Sequence, residues 1–170
     1  MSAWLRDRLS EGDRRVVGAA SAVADEVRQN GHLLPVLIEL LEDEDTAVVA
    51  HAAHALMQIS TAEPALFDAH VMRLLGLLAD PKQWEIGEQL PKILSRATLT
   101  SEQADRLARV LAANVENKSN IVAACSLQGF VDLALDGRIE RSMAEQMLDA
   151  ALGSDRKALA ARARQLRKRL

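Results

Sequence analysis

A single cysteine, Cys125, in 170 residues excludes an internal disulfide and leaves a cysteine-built zinc site short of ligands. Ala and Leu dominate a chain that is 49% hydrophobic but only 2% aromatic, with no Tyr; these are the strongest helix formers, so a sheet-built fold is excluded and an all-α fold expected. The net charge of −3 hides a gradient: Lys plus Arg against Asp plus Glu run five to ten over residues 1–60, seven to nine over 61–135 and nine to five over 136–170, which rules out a uniformly basic surface.

At the start, residues 1–8 hold Trp4, Arg6, Asp7 and Arg8 and no apolar run of the signal-peptide kind. The longest apolar stretch, 32–41, contains Glu39 and falls short of the roughly 20 residues a membrane span needs. A soluble, cytoplasmic protein with no membrane contact is the expectation. Further along, Asn30-Gly31, Asp136-Gly137 and Leu152-Gly153 each place Gly where a left-handed residue would end a helix. Glu63-Pro64 reads as a helix start, and Asp80-Pro81 as an N-cap followed by Pro at the first helical position. Thr100 with Gln103 predicts a capping box, and Leu99 is placed to staple against Ala104. The rhythm is helix, short turn, helix, in one domain of about five hairpins near 1–30, 31–61, 62–98, 99–136 and 137–170.

The second (B) helix of each pair repeats one apolar stripe at i, i+4, i+7 and i+11, one face of an α-helix. It runs through Val16, Ala20, Val23 and Val27; through Val48, Ala52, Ala55 and Ile59; and through Ile86, Leu90, Ile93 and Ala97. A weaker version holds Ala124, Gln128, Val131 and Leu135, and the last holds Leu159, Ala163, Leu166 and Leu170. Alanine in these stripes lets helices approach to about 8–10 Å, so that successive pairs stack. Pro91, inside the third B helix, removes an amide donor and predicts a kink. A non-repeating helical bundle is the rival architecture.

With the hairpins placed, the chain resembles HEAT repeat proteins, whose period near 40 residues is looser than that of ankyrin or tetratricopeptide repeats. Its second half resembles small bacterial HEAT-like proteins with no assigned activity. Trp84-Glu85, Leu99-Thr100, Ser119-Asn120-Ile121-Val122, Leu127-Gln128, Asp132-Leu133-Ala134, Gly153-Ser154 and Ala161 to Leu166 carry that likeness. An Arg usually follows the first apolar residue of a HEAT B helix; here Val17, Val49, Gly87 and Ala160 stand there. The resemblance implies a right-handed α-solenoid with B helices on its concave side, serving as a platform for a partner.

Candidate sites are few. His51 and His54 lie one turn apart, about 60° and 120° from the Val48 stripe, which puts both at or beyond the edge of the core as solvated histidines rather than metal ligands. Cys125 reads as a small buried hydrophobe. No G-x-S-x-G elbow, P-loop or dinucleotide-binding glycine motif occurs, so no catalytic, cofactor or metal residues are assigned and no cofactor is expected. Trp84 and Glu85 open a B helix, where Trp84 suits either a rim anchor or, as the ordinary expectation, a plug between hairpins. Trp4 is expected to cap the N-terminal end of the stack. Arg156, Lys157, Arg162, Arg164, Arg167 and Lys168 make a basic terminal helix, which a solenoid also needs as a polar cap.

The expected function is that of a non-enzymatic module for binding a protein on the concave B-helix face. The alternative is a nucleic-acid-binding HEAT-like protein, for example of the alkylpurine DNA glycosylase kind, using the basic terminal helix. Weak self-association through the acidic cluster at 39–45 and that basic end is a further expectation.

Overall fold

The computed structural model describes residues 2–13 and 18–170, so Val16 and Val17 lie outside the described residues. Among the described residues all regular structure is helical, in ten α-helices. They are α1 (Ser2–Ser10), α2 (Ala20–Gln29), α3 (Leu34–Glu39), α4 (Thr46–Ala62) and α5 (Val71–Ala79), followed by α6 (Trp84–Leu94), α7 (Ser101–Val115), α8 (Asn120–Leu135), α9 (Arg141–Leu152) and α10 (Lys157–Arg167). Short 3-10 turns extend α3 at both ends and precede α5. No helix among them is long and apolar enough to cross a membrane.

Local signals explain several boundaries. The capping box forms in full: the Gln103 amide donates to Thr100 Oγ1 at 3.2 Å, and the Thr100 amide donates to Gln103 Oε1 at 2.9 Å. Gly137 adopts φ +68, and the Gly137 and Arg138 amides close back onto Ala134 and Leu133 carbonyls, the bonding pattern of a Schellman stop. Gly31 and Gly153 are not left-handed: Gly31 opens a 3-10 turn and Gly153 stays helical at φ −80. Asp80-Pro81 does not start a helix either. Asp80 ends α5, the next residues form a loop, and Gln83 in extended geometry precedes α6. Pro64 opens the 3-10 turn of residues 64–70, and the α-helix begins only at Val71.

Even-numbered helices pack side by side in one unbroken layer, α2 on α4, α4 on α6, α6 on α8 and α8 on α10. The odd-numbered layer is interrupted: α1 meets α3 and α5 meets α7, but α3 with α5 and α7 with α9 touch marginally at most. The stripes therefore form successive layers, as a repeat-like stack requires, and do not converge on one centre. Val48, Ala52, Ala55 and Ile59, like Ile86, Leu90, Ile93 and Ala97, are buried. In α8 the expected stripe is one residue out of step. Leu135 is 41% exposed, whereas Ala123, Leu127, Phe130 and Ala134 carry the same spacing into the core. With that shift the stripes of α4, α6, α8 and α10 begin 38, 37 and 36 residues apart, at Val48, Ile86, Ala123 and Leu159.

Two close approaches fix how α6 and α8 stack. A Cβ on Gly87 would lie 2.7 Å from both methyls of Val122, and one on Gly129 would lie 3.3 Å from Pro91 and Leu111. Gly87 is one of the positions at which a HEAT pattern would carry Arg; the others described, Val49 and Ala160, are also buried. These positions serve helix contact and present nothing outward.

Candidate interaction surface

The outward row of the even layer crosses four helices. His54, Met57 and Gln58 of α4 are half-buried, as are Glu88 and Lys92 of α6, Cys125, Gln128 and Asp132 of α8, and Arg162 of α10. Neighbouring helices are tied along it. Gln58 Nε2 donates to Ser21 Oγ at 3.1 Å, Arg162 donates to Gln128 Oε1, and Arg169 pairs with Asp132 at 2.9 Å. Lys92 bridges to Glu88 at 3.6 Å and donates to Gln89 at 3.2 Å. Burial holds His54 below the ordinary histidine range, with Lys92 and His51 acting in the same sense and Glu88 opposing them. Burial pushes the Cys125 thiol up, which starves it of the thiolate a nucleophile needs.

His51 is the clearest correction. It is 1% exposed, not solvated, because Nδ1 lies 2.7 Å from the Leu9 carbonyl and Nε2 lies 3.3 Å from that of Asp13. It ties α4 to the end of α1 and points away from His54's surface. No group of three His, Cys, Asp or Glu side chains converges as a metal site would require among the described residues.

The residues expected to bind a partner do not form one patch. Trp84 is 40% exposed, so it sits on the rim and does not plug a seam, while Glu85 beside it is 4% exposed and withdrawn from the surface. Trp4 packs half-buried on the core with the Arg8 guanidinium 5.9 Å over its ring. Arg156 donates to Asn120 Oδ1 at 2.8 and 3.0 Å and to the Val115 carbonyl at 3.3 Å. Arg167 pairs with Asp149. Lys157, Arg164 and Lys168 are exposed and carry no ion pair among the described residues. The acidic cluster is engaged in the same way: Asp43 receives Arg6 at 2.8 and 3.0 Å, and Glu42 receives Arg73 at 3.0 Å. That bond holds the Asp43 carboxyl below its usual range.

No family model and no curated protein matches the sequence. Among solved structures the chain is similar to the crystal structure of an engineered protein, a Northeast Structural Genomics Consortium target. The TM-score is 0.64 at 17% identity, over 97% of this chain and 77% of that one. At that identity the likeness concerns the fold alone.

What sequence reasoning missed is the outward row itself. His54, Glu88, Lys92, Cys125 and Gln128 share no motif. Only the spacing of the buried stripe, once corrected in α8, places them on the opposite side of their helices.

Proposed function

We propose that the chain is a non-catalytic, HEAT-like interaction module that receives a protein partner on the face formed by α4, α6, α8 and α10. The observation that carries this reading is the contrast between layers. The even helices pack in continuous register, whereas the odd helices separate at two places. A two-layer stack closed on one side and open on the other curves toward the closed side, and concave faces of this kind are what solenoids offer to partners. Along that face half-buried polar groups alternate with Met57 and Cys125, a mixture suited to a polar polypeptide.

Nucleic-acid binding finds less support. Of the terminal basic residues, Arg156, Arg162, Arg167 and Arg169 are bonded within the chain, leaving a short and scattered set for phosphate.

The test is capture from an extract of the source cells with and without nuclease. Wild type is compared with a Lys92→Glu, Arg162→Glu variant and with Arg109→Glu in α7 as a control. Proteins retained by wild type and the control, lost from the double variant and indifferent to nuclease are the expected result. Prey lost on nuclease treatment, or kept by the double variant, would refute the assignment.

A further inference from the structure

α7 and α9 both rest on α8 but touch each other marginally at most, and between them runs an open groove of about 410 Å³. Two helix faces line it, each spaced i, i+3, i+4 and i+7. α7 contributes Asp105, Ala108, Arg109 and Ala112, and α9 contributes Met143, Gln146, Met147 and Ala150. Phe130 of α8 and Ala108 form a buried floor, while Ala112, Ile139 and Met147 are half-buried and open to contact from outside.

Two features of this face are unexplained by folding. Met143 is 45% exposed, and with Ile139 it lines both the groove and an adjoining recess of about 450 Å³, so it stands as a knob beside a hole. The α9 face carries no charge, and a surface stripe rich in Met and without Lys or Glu has the composition of an interface core. Asp105 and Arg109 are exposed one turn apart, and neither side chain has an ion pair or hydrogen bond among the described residues. By contrast Arg138, Arg141 and Asp149 around the same face are bonded within the chain, to the Ala97 carbonyl, Glu145 and Arg167.

A knob with its hole and a cation with its anion on one face make the self-complementarity that a two-fold interface requires. Crossing α7 antiparallel to its copy, about a dyad between residues 105 and 109, sets each Asp105 against the partner's Arg109. Ala108 and Ala112 keep that face of α7 low, so the helices can approach closely. Two helices of 15 and 12 residues, each about 10 Å wide, present roughly 400 Å² of projected face. That is less than the roughly 800 Å² per partner of a standard interface, so the association is weak and reversible. Contact through the acidic and basic ends would instead propagate head to tail, and those ends are largely bonded within the chain.

We infer that a second copy of this chain covers the groove, with Met143 of each copy seated in the other's groove and two Asp105–Arg109 pairs flanking the dyad. The experiment is sedimentation of the full chain over a hundredfold range of concentration, where monomer should pass to dimer and to nothing larger. Met143→Glu should weaken association at least tenfold. Asp105→Arg and Arg109→Glu should each do the same, because each sets like charges against one another across the dyad. Their equimolar mixture should recover the dimer, since opposite charges then face each other again. All three side chains are exposed, so far-UV spectra like that of wild type are expected for every variant. The groove is on the odd layer, away from the face proposed to receive a partner. Arg109→Glu should therefore separate the copies and still retain prey, which keeps the two readings distinguishable. A wild type that stays monomeric, growth beyond dimer, wild-type association in Met143→Glu or in either charge variant, or a mixture that stays monomeric would overturn the proposal.

Discussion

Gly87 and Gly76 are both mid-helix glycines, and their neighbourhoods give opposite expectations. At Gly87 the added Cβ meets both Val122 methyls at 2.7 Å and its Cβ at 3.2 Å, and a β-branched side chain cannot rotate clear of a contact on its Cβ. Overpacking of this kind costs about 1–3 kcal/mol, against a helix-propensity gain of at most ~1 kcal/mol. Gly87→Ala should therefore lower the melting temperature, whereas Gly76→Ala should raise it by the equivalent of about 0.5–1 kcal/mol. Thermal melts of the two variants check the sign of each. His54 supplies a second residue-level expectation. Its folded pKa lies below the unfolded 6.5, so the unfolded chain takes up the proton first as pH falls. The stabilisation is complete above about 6.5 and is lost as pH drops from there toward the folded value. Urea midpoints measured from pH 7.5 to 5.5 should fall less steeply for His54→Gln than for wild type. Asp43, lowered by its bond to Arg6, gives stability that is present above its unfolded value of 3.8 and lost only below it.

At the scale of elements, the signals that were legible are those in which the partner is close in sequence. Thr100 with Gln103 and Gly137 after α8 are closed by residues three to five positions away, and both read correctly. Gly31 and Gly153 carry the same letters without the conformation, because 3-10 and helical continuations satisfy those backbones instead. His51 was misread for the opposite reason: a helical wheel sees only α4, and the Leu9 carbonyl that buries the ring comes from 42 residues away. The α8 stripe slipped by one residue because this helix is covered by α6, α7 and α10 together, so its apolar residues spread over more than one face. Ala55, 0% exposed in α4, tests the seam. Ala55→Arg should destabilise by about 2–4 kcal/mol in denaturant titration, and a neutral result would mean the stacking contact lies elsewhere.

Over the whole molecule, the charge gradient that suggested binding ends is mostly consumed in ties between hairpins. Arg6–Asp43, Arg28–Glu63, Arg156–Asn120 and Arg169–Asp132 join residues 37, 35, 36 and 37 positions apart, close to the spacing of the buried stripes. The chain's polar contacts thus repeat with its core. Pairs at the surface contribute little singly, about 0–1 kcal/mol each, so they align the hairpins more than they stabilise them. Stability resides in the shared apolar flanks, as in other stacked arrays. A chain ending at Asp136 should consequently melt at lower temperature and bind a dye specific for exposed apolar surface, since α9 and α10 cover the far side of α8.

The Gly87–Val122 contact has a bearing on how such a stack could change in length. A repeat array made of interchangeable units can be extended by copying any one of them. Here the third unit carries a notch and the fourth the matching knob, so a copy inserted between them would face the notch with a side chain never shaped to it. An added unit would therefore disturb this stack more between α6 and α8 than at either end.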